Sequence, residues 1–203
     1  MRRAVIFDLD GTLTVPMLDF DAIRVELGIE GGRPILEAMG TMDAAGRAWA
    51  EAVLEDHERR AAEGSRLRAG AIETVEALRG RGFAVGIVTR NARRWTEVVL
   101  VTHGLRVDGV RTREDGAIKP DPAGVRSLCE EFGARAGASW MVGDHLFDME
   151  AGRGAGMATV LMVGDGEVPA FADRADGVIR SLGELLSMLP GSGWLSEVRK
   201  RRR

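Results

Sequence analysis

The chain predicts an α/β protein with a parallel sheet covered on both faces by helices, and three observations carry that expectation. From about residue 69 onward, short apolar runs alternate with helical stretches, the rhythm of βαβ units joined by right-handed crossovers. The runs at 4–7 and 83–88 are continuously apolar rather than alternating, as strands buried on both faces are. Three runs end abruptly in polar residues: Asp8 with Asp10, then Thr89, then Asp144. In an open parallel sheet, ligand sites form at the carboxyl ends of the strands.

The stretch Val5-Ile6-Phe7-Asp8-Leu9-Asp10-Gly11-Thr12-Leu13-Thr14 organises the rest. A buried strand over 4–7 gives way to two aspartates, poor strand residues, and Gly11 turns the backbone away. Two carboxylates converging there repel by about 4 kcal/mol at ~4 Å and an intermediate dielectric. A bound cation or a raised pKa must offset that repulsion. The plain alternative is a strand followed by an acidic turn with no chemistry.

Residues 16–68 contain no convincing strand. Asp19 and Asp21 cap a helix carrying Ile23 and Leu27 and stopped by Gly28. Pro34 opens a second short helix through Met39, stopped by Gly40. Thr41 is expected to cap a longer helix that turns Ala45, Trp49 and Val53 to one face. Its far half, 55–63, is almost wholly charged or alanine and reads as solvated. The expected division is therefore an α/β core, 1–15 with 69–203, and an all-helical insertion, 16–68.

Beyond the insertion, Ile72, Val75 and Leu78 form a helical stripe ended by Gly80 and Gly82. A strand over 83–88 leads to Thr89-Arg90-Asn91, and a helix with Trp95, Val98, Val99 and Thr102 stops at Gly104. A weak strand is expected at 107–110. Val125, Leu128, Cys129 and Phe132 follow helical spacing, so Cys129 reads as core. Strands follow at 139–142, 158–163 and, briefly, 177–179. Asp148 falls near the start of the helix after Asp144, where the helix dipole favours an anion. The basic tail at 199–203 reads as a solvated end or a dock for an acidic partner, and Trp194 and Val198 as further cover for the core.

Composition narrows the function. A chain of 203 residues fits one good-sized domain, or a domain with a small insertion. A net charge of −3 argues against a dedicated nucleic-acid binder. No apolar run approaches the ~20 residues of a membrane span, and Asp8 and Asp10 interrupt any signal-peptide core. A single cysteine cannot form an internal disulfide, which fits the cytoplasm. Positive charge is almost all arginine, the only lysines being Lys119 and Lys200. Lys119, just before Pro120 and a helix, offers a compact ammonium suited to a phosphate or carboxylate site; the plain alternative is a surface lysine.

Asp-x-Asp-Gly-Thr after the first strand, Thr89 after the second, Lys119-Pro120, then Gly143-Asp144-x-x-x-Asp148 resemble the four ordered motifs of the haloacid dehalogenase-like (HAD) hydrolases. The resemblance spans about 5–163, and the helical insertion resembles that family's C1 cap, on a Rossmann-like three-layer core. It implies Asp8 as nucleophile, forming an aspartyl-phosphate, and as a metal ligand. Asp10 would be general acid and then base, its backbone carbonyl a metal ligand. Thr89 would hold a phosphoryl oxygen, Lys119 would neutralise phosphate and nucleophile, and Asp144 would ligate Mg²⁺ with Asp148 in support. Leu9, Gly11 and Thr12 in the first turn, with Arg90 and Asn91, are the substrate-binding candidates; for Arg90 and Asn91 plain loop capping stands beside that reading.

The physics agrees with these roles. Phosphoryl transfer needs positioning and charge neutralisation, Mg²⁺ takes hard oxygen ligands, and an aspartate of ordinary pKa is already ionised. Donating a proton at neutral pH asks more of Asp10. An aspartate at that position favours phosphate chemistry over dehalogenation. One departure matters: Thr14-Val15-Pro16 stands where members acting on phosphoglycolate or sugar phosphates often carry an acidic residue. Arg33 could meet an anionic substrate or lie in a surface turn. His145 reads as solvent-facing, His57 and His103 carry no role, and the glycines at 152–156 have the wrong spacing for a dinucleotide site. The expected function is a Mg²⁺-dependent phosphatase acting on a small phosphorylated metabolite, with no nucleic-acid or membrane partner. A phosphomutase acting on a sugar phosphate and a non-catalytic binding module are the alternatives. Oligomeric state is not legible.

Overall fold

A computed structural model describes residues 2–189. The expectations for Trp194, Val198 and the tail at 199–203 lie outside the described residues. The chain divides into two compact units, Met1–Pro16 with Arg66–Arg203, and Met17–Ser65.

The first unit holds a six-stranded parallel sheet in the order β3-β2-β1-β4-β5-β6. Its strands are β1 (Arg3–Phe7), β2 (Phe83–Val88), β3 (Gly109–Arg111), β4 (Trp140–Gly143), β5 (Ala158–Met162) and β6 (Gly177–Ile179). The helices of this unit are α4 (Ala71–Gly80), α5 (Arg93–His103), α6 (Ala123–Glu131), α7 (Leu146–Gly154) and α8 (Leu182–Met188). Val125, Leu128 and Cys129 of α6 and Ala151 of α7 pack with Ala4, Ile6, Ala84, Val88 and Met141 on one face of the sheet. The alternate residues Val5, Phe7, Val85, Ile87 and Val142 are equally buried, which requires cover on the other face too. Cys129 is core, as expected, and burial lifts its thiol pKa to about 11. Among the described residues no helix is long and apolar enough to cross a membrane.

The second unit comprises α1 (Phe20–Glu26), α2 (Ile35–Met39) and α3 (Ala44–Glu63). Ile23, Leu27, Ile35, Met39, Ala50 and Leu54 form its own small core. Asp19 caps α1, its side chain accepting from the Ala22 N–H at 2.9 Å.

Several expectations are corrected. α3 is capped by Asp43, whose Oδ1 accepts from the Gly46 N–H at 2.7 Å, and not by Thr41, whose hydroxyl donates to the Ala38 carbonyl instead. The buried face of α3 runs through Ala50, Leu54, Glu58 and Ala62, while Ala45 is exposed and Trp49 is 50% exposed. Alanines ring this helix, so periodicity alone does not mark which face meets Ile23 and Met39. The far half is accordingly not wholly solvated; Glu58 is 3% exposed.

The third strand starts two residues late because Asp108 is spent before the ladder begins. Its backbone N–H donates to the Val85 carbonyl, and its Oδ2 accepts from the Val85 N–H. β4 likewise starts one residue late, since the Ser139 hydroxyl takes the Ala4 N–H at 2.9 Å. α8 and the 3-10 turns Arg113–Asp115, Ala136–Ala138 and Ala170–Arg174 are additions to the expected elements.

Candidate active site

Strand register gathers the polar strand ends. Phe7 pairs with Ile87 of β2 and Val142 of β4, so Asp8 stands level with Val88 and Gly143. Thr89 and Asp144 lie one residue further along their own strands. The Asp8 N–H still donates to the Val142 carbonyl and the Thr89 N–H to the Arg111 carbonyl, both at 2.9 Å. The ladder thus ends at these residues, with β1 between β2 and β4 where strand order reverses, the crevice in which open α/β sheets bind ligands.

Lys119 enters from the loop between β3 and α6. Its Nζ donates to Asp8 Oδ1 at 2.5 Å and to Asp148 Oδ1 at 2.6 Å, and the side chain is 4% exposed. Asp148, in the first turn of α7, accepts the His145 N–H on Oδ2 at 2.9 Å, while His145 Nδ1 accepts the Phe147 N–H at 3.2 Å. This reciprocal cap fixes Asp148 from the helix side. Asp144 Oδ1 accepts from the Thr12 hydroxyl at 3.0 Å.

Two glycines make the close approach possible. Gly11 has φ +82°, and a Cβ there would lie 2.2 Å from Asp144 Oδ2. A Cβ on Gly143 would lie 2.2 Å from Asp148 Cγ. A methyl group at either position would displace a carboxylate.

One carboxylate oxygen from each of Asp8, Asp144 and Asp148 lies within 4.8 Å of the other two. A single ammonium cannot neutralise three carboxylates of which two are buried and the third, Asp144, is half-buried. Burial, aided by Asp148 and Asp144, drives the Asp8 pKa well above the usual carboxylate range against the pull of Lys119. Burial and Asp148 raise Asp144 to about 6. Burial works against the Lys119 charge, yet Asp148 and Asp8 raise its pKa above that of an ordinary lysine. The donor set is therefore all hard oxygen and short of positive charge, which fits a small divalent cation such as Mg²⁺.

The other sequence candidates fall as follows. The Leu9 side chain is buried, and its carbonyl accepts from the Thr12, Leu13 and Thr14 N–H groups, so its main chain shapes the turn. Thr89 is 4% exposed and its Oγ1 accepts the Asn91 N–H at 3.2 Å. Arg90 stacks its guanidinium 4.8 Å over the Phe147 ring and donates to the Lys119 carbonyl. Arg33 donates to the Thr41 hydroxyl at 3.2 Å, a surface-turn contact, and His57 pairs with Glu26 at 2.8 Å. His103 is the last residue of α5.

Sequence reasoning did not give a role to three residues around this site. His145 as a cap could have been read from its three-residue spacing to Asp148. Thr14, which contacts Asp10, and Arg68, which donates to the Gly11 carbonyl at 2.6 Å, carry no such signal.

A haloacid dehalogenase-like hydrolase model matches residues 2–156. The chain belongs to that family. Its six-stranded parallel sheet and the helical segment following β1 are the HAD-like architecture, that segment standing where the C1 cap stands. A phosphoglycolate phosphatase of Haemophilus influenzae is 34% identical over 132 residues, covering 62% of this chain and 58% of its own length. The structure of a HAD phosphatase from Thermococcus onnurineus is 29% identical with a TM-score of 0.69, covering 93% of this chain and 98% of that one. A HAD hydrolase of Bacillus subtilis, bound to magnesium, shares the fold at a TM-score of 0.67 and 21% identity, covering 94% and 99%.

Proposed function

We propose that this HAD-family chain is a magnesium-dependent phosphatase that hydrolyses a small phosphate monoester through an aspartyl-phosphate on Asp8. The observation that carries the reading is the buried Lys119 ammonium held between Asp8 and Asp148 beside Asp144. A nucleophilic carboxylate, a fixed cation and a cluster of further carboxylates at one strand edge meet the demands of phosphoryl transfer.

Asp8, Asp144 and Asp148, with the Asp10 backbone carbonyl, would hold Mg²⁺, which neutralises phosphoryl oxygens when bound. In the first half of the reaction an Asp8 carboxylate oxygen attacks phosphorus, the bond from phosphorus to the ester oxygen breaks, and Asp10 protonates the departing oxygen. In the second half Asp10 takes a proton from water, the water oxygen attacks phosphorus, and the bond to Asp8 breaks. The Asp8 carboxylate is restored and inorganic phosphate leaves. Throughout, Lys119 offsets the negative charge shared by Asp8 and the phosphoryl group, and Thr89 orients one phosphoryl oxygen. The turn at Leu9, Gly11 and Thr12, with Arg90 and Asn91, borders the phosphate.

Residues 16–68 would serve as the cap domain, a role supported by the separate core of that segment. The phosphatase names of the Haemophilus and Thermococcus relatives support hydrolysis. Thr14-Val15-Pro16 stands where members acting on phosphoglycolate or sugar phosphates often carry an acidic residue, so no individual substrate is carried over from them and the class is a small phosphate monoester.

Hydrolysis of p-nitrophenyl phosphate, with and without Mg²⁺, by parent protein and Asp8→Asn tests the proposal. Metal-dependent release that the substitution abolishes is expected. Equal release by the two proteins would remove Asp8 as nucleophile.

A further inference from the structure

The turn that carries Asp10 is braced by two residues the proposed reaction does not use. Thr14 is 3% exposed, and its hydroxyl oxygen lies 3.1 Å from the Leu9 carbonyl oxygen and 3.3 Å from Asp10 Oδ1. Arg68 reaches the same turn from the segment paired with it. Its backbone N–H donates to the Leu13 carbonyl at 2.8 Å, and its guanidinium donates to the Gly11 carbonyl at 2.6 Å. Gly164 makes room for that guanidinium, since a Cβ there would lie 2.6 Å from Arg68 Nη1. The contacts therefore reach the carbonyls of the residues on either side of Asp10, Leu9 and Gly11, and the Asp10 carboxylate itself.

We infer that Thr14 and Arg68 are positioning residues that hold the Asp10 carboxylate in one orientation, and that the water-activating half of the reaction depends on them more than the attack by Asp8 does. The inference rests on the phosphatase reading above. Asp8 is tied independently, by Lys119 and by its backbone bond to β4, so loosening the turn leaves the nucleophile in place. Asp10 has to meet a water that is not covalently attached to anything, a task whose rate is steeply sensitive to small misplacements. A hydroxyl has one proton and two lone pairs, so the Thr14 contact forms whether or not the carboxyl carries a proton; orientation is what it fixes.

The experiment is rapid-mixing kinetics with p-nitrophenyl phosphate and Mg²⁺ on parent, Thr14→Val, Thr14→Ser and Arg68→Met. The leaving group is already a good one, so the first half is insensitive to Asp10. Thr14→Val is expected to give a p-nitrophenolate burst at the parent rate, followed by steady turnover lower by about 10-fold or more. Phosphorylated enzyme, trapped by acid quench, should accumulate. Thr14→Ser restores the hydroxyl and should recover turnover to within about 3-fold of the parent. Arg68→Met should show the same burst and slow second phase, and serves alone where Thr14→Val does not fold.

Burst and steady state falling together, with no phosphorylated enzyme accumulating, would mean general loosening and would overturn the inference. Parent-like kinetics in both Thr14→Val and Arg68→Met would overturn it as well, leaving the phosphatase reading intact. A parent protein without Asp8-dependent release would overturn both.

Discussion

Asp144 is half-buried beside Asp148 and titrates at about 6, where an exposed aspartate titrates near 3.8. A carboxyl whose folded pKa exceeds its unfolded value contributes stability below the unfolded pKa and loses it as pH rises through the folded one. The metal-free protein should therefore lose up to roughly 3 kcal/mol from this residue between about pH 4 and pH 6.5. Asp8, raised by burial, adds to the loss in the same direction. Asp115 acts oppositely and only at lower pH: burial pushes its carboxyl up, but Arg93 and Thr112 prevail and hold it at about 2. Melting of metal-free protein should thus move to lower temperature from pH 5 to pH 7.5, and added Mg²⁺ should raise it more at pH 7.5 than at pH 5. An equal Mg²⁺ shift at both values would count against the carboxylate cluster as its seat. At this scale the sequence was legible where a residue type was out of place: aspartates ending an apolar strand, a lysine in an arginine-rich chain. Thr14 and Arg68 escaped because their contacts, to the Leu9 and Gly11 carbonyls and the Asp10 carboxylate, are a geometry that exists only after folding.

Elements were legible wherever pattern and punctuation agreed, as with β2, which occupies the expected residues, and α1, where Asp19 and Gly28 bracket the apolar pair. They were obscured where two signals competed. Thr41 and Asp43 are both good cap residues, and only the bond that the Gly46 N–H donates to Asp43 separates them. Asp43→Ala should destabilise the protein by about 1 kcal/mol and fray the start of α3, whereas Thr41→Ala should cost clearly less. Urea denaturation of the two variants checks this, and a larger loss from Thr41→Ala would reverse the assignment. α8 was readable, since Leu182, Leu185 and Leu189 are spaced as a helix buries them. The buried face of α3 was not, because it is chosen by Ile23 and Met39 on two other helices, and the helix's own alanines mark no face.

At the scale of the whole molecule, two short segments join residues 17–65 to the sheet-bearing unit, and those segments bond to each other. The Val15 N–H donates to the Arg66 carbonyl at 2.9 Å, the Arg68 N–H to the Leu13 carbonyl, and Thr14 bridges to Leu67 in antiparallel fashion. The described residues packed on the α6–α7 face of the sheet all belong to the sheet-bearing unit. Replacing 17–65 by a short Gly/Ser loop should therefore leave a cooperatively unfolding protein whose sheet amides stay protected from hydrogen exchange. Loss of that protection throughout the sheet would show that the two units fold only together. The parallel order of the sheet followed from the alternation of elements, but the pairing of these two segments did not, because antiparallel bonds between residues about fifty positions apart leave no periodic trace. Their closure has an evolutionary corollary. A chain that leaves and re-enters through a two-stranded stem can exchange what lies between as a cassette, since each doubling of loop length costs only ~0.6 kcal/mol. Homologues should then vary in length and composition between positions 17 and 65 while keeping the stem's spacing constant.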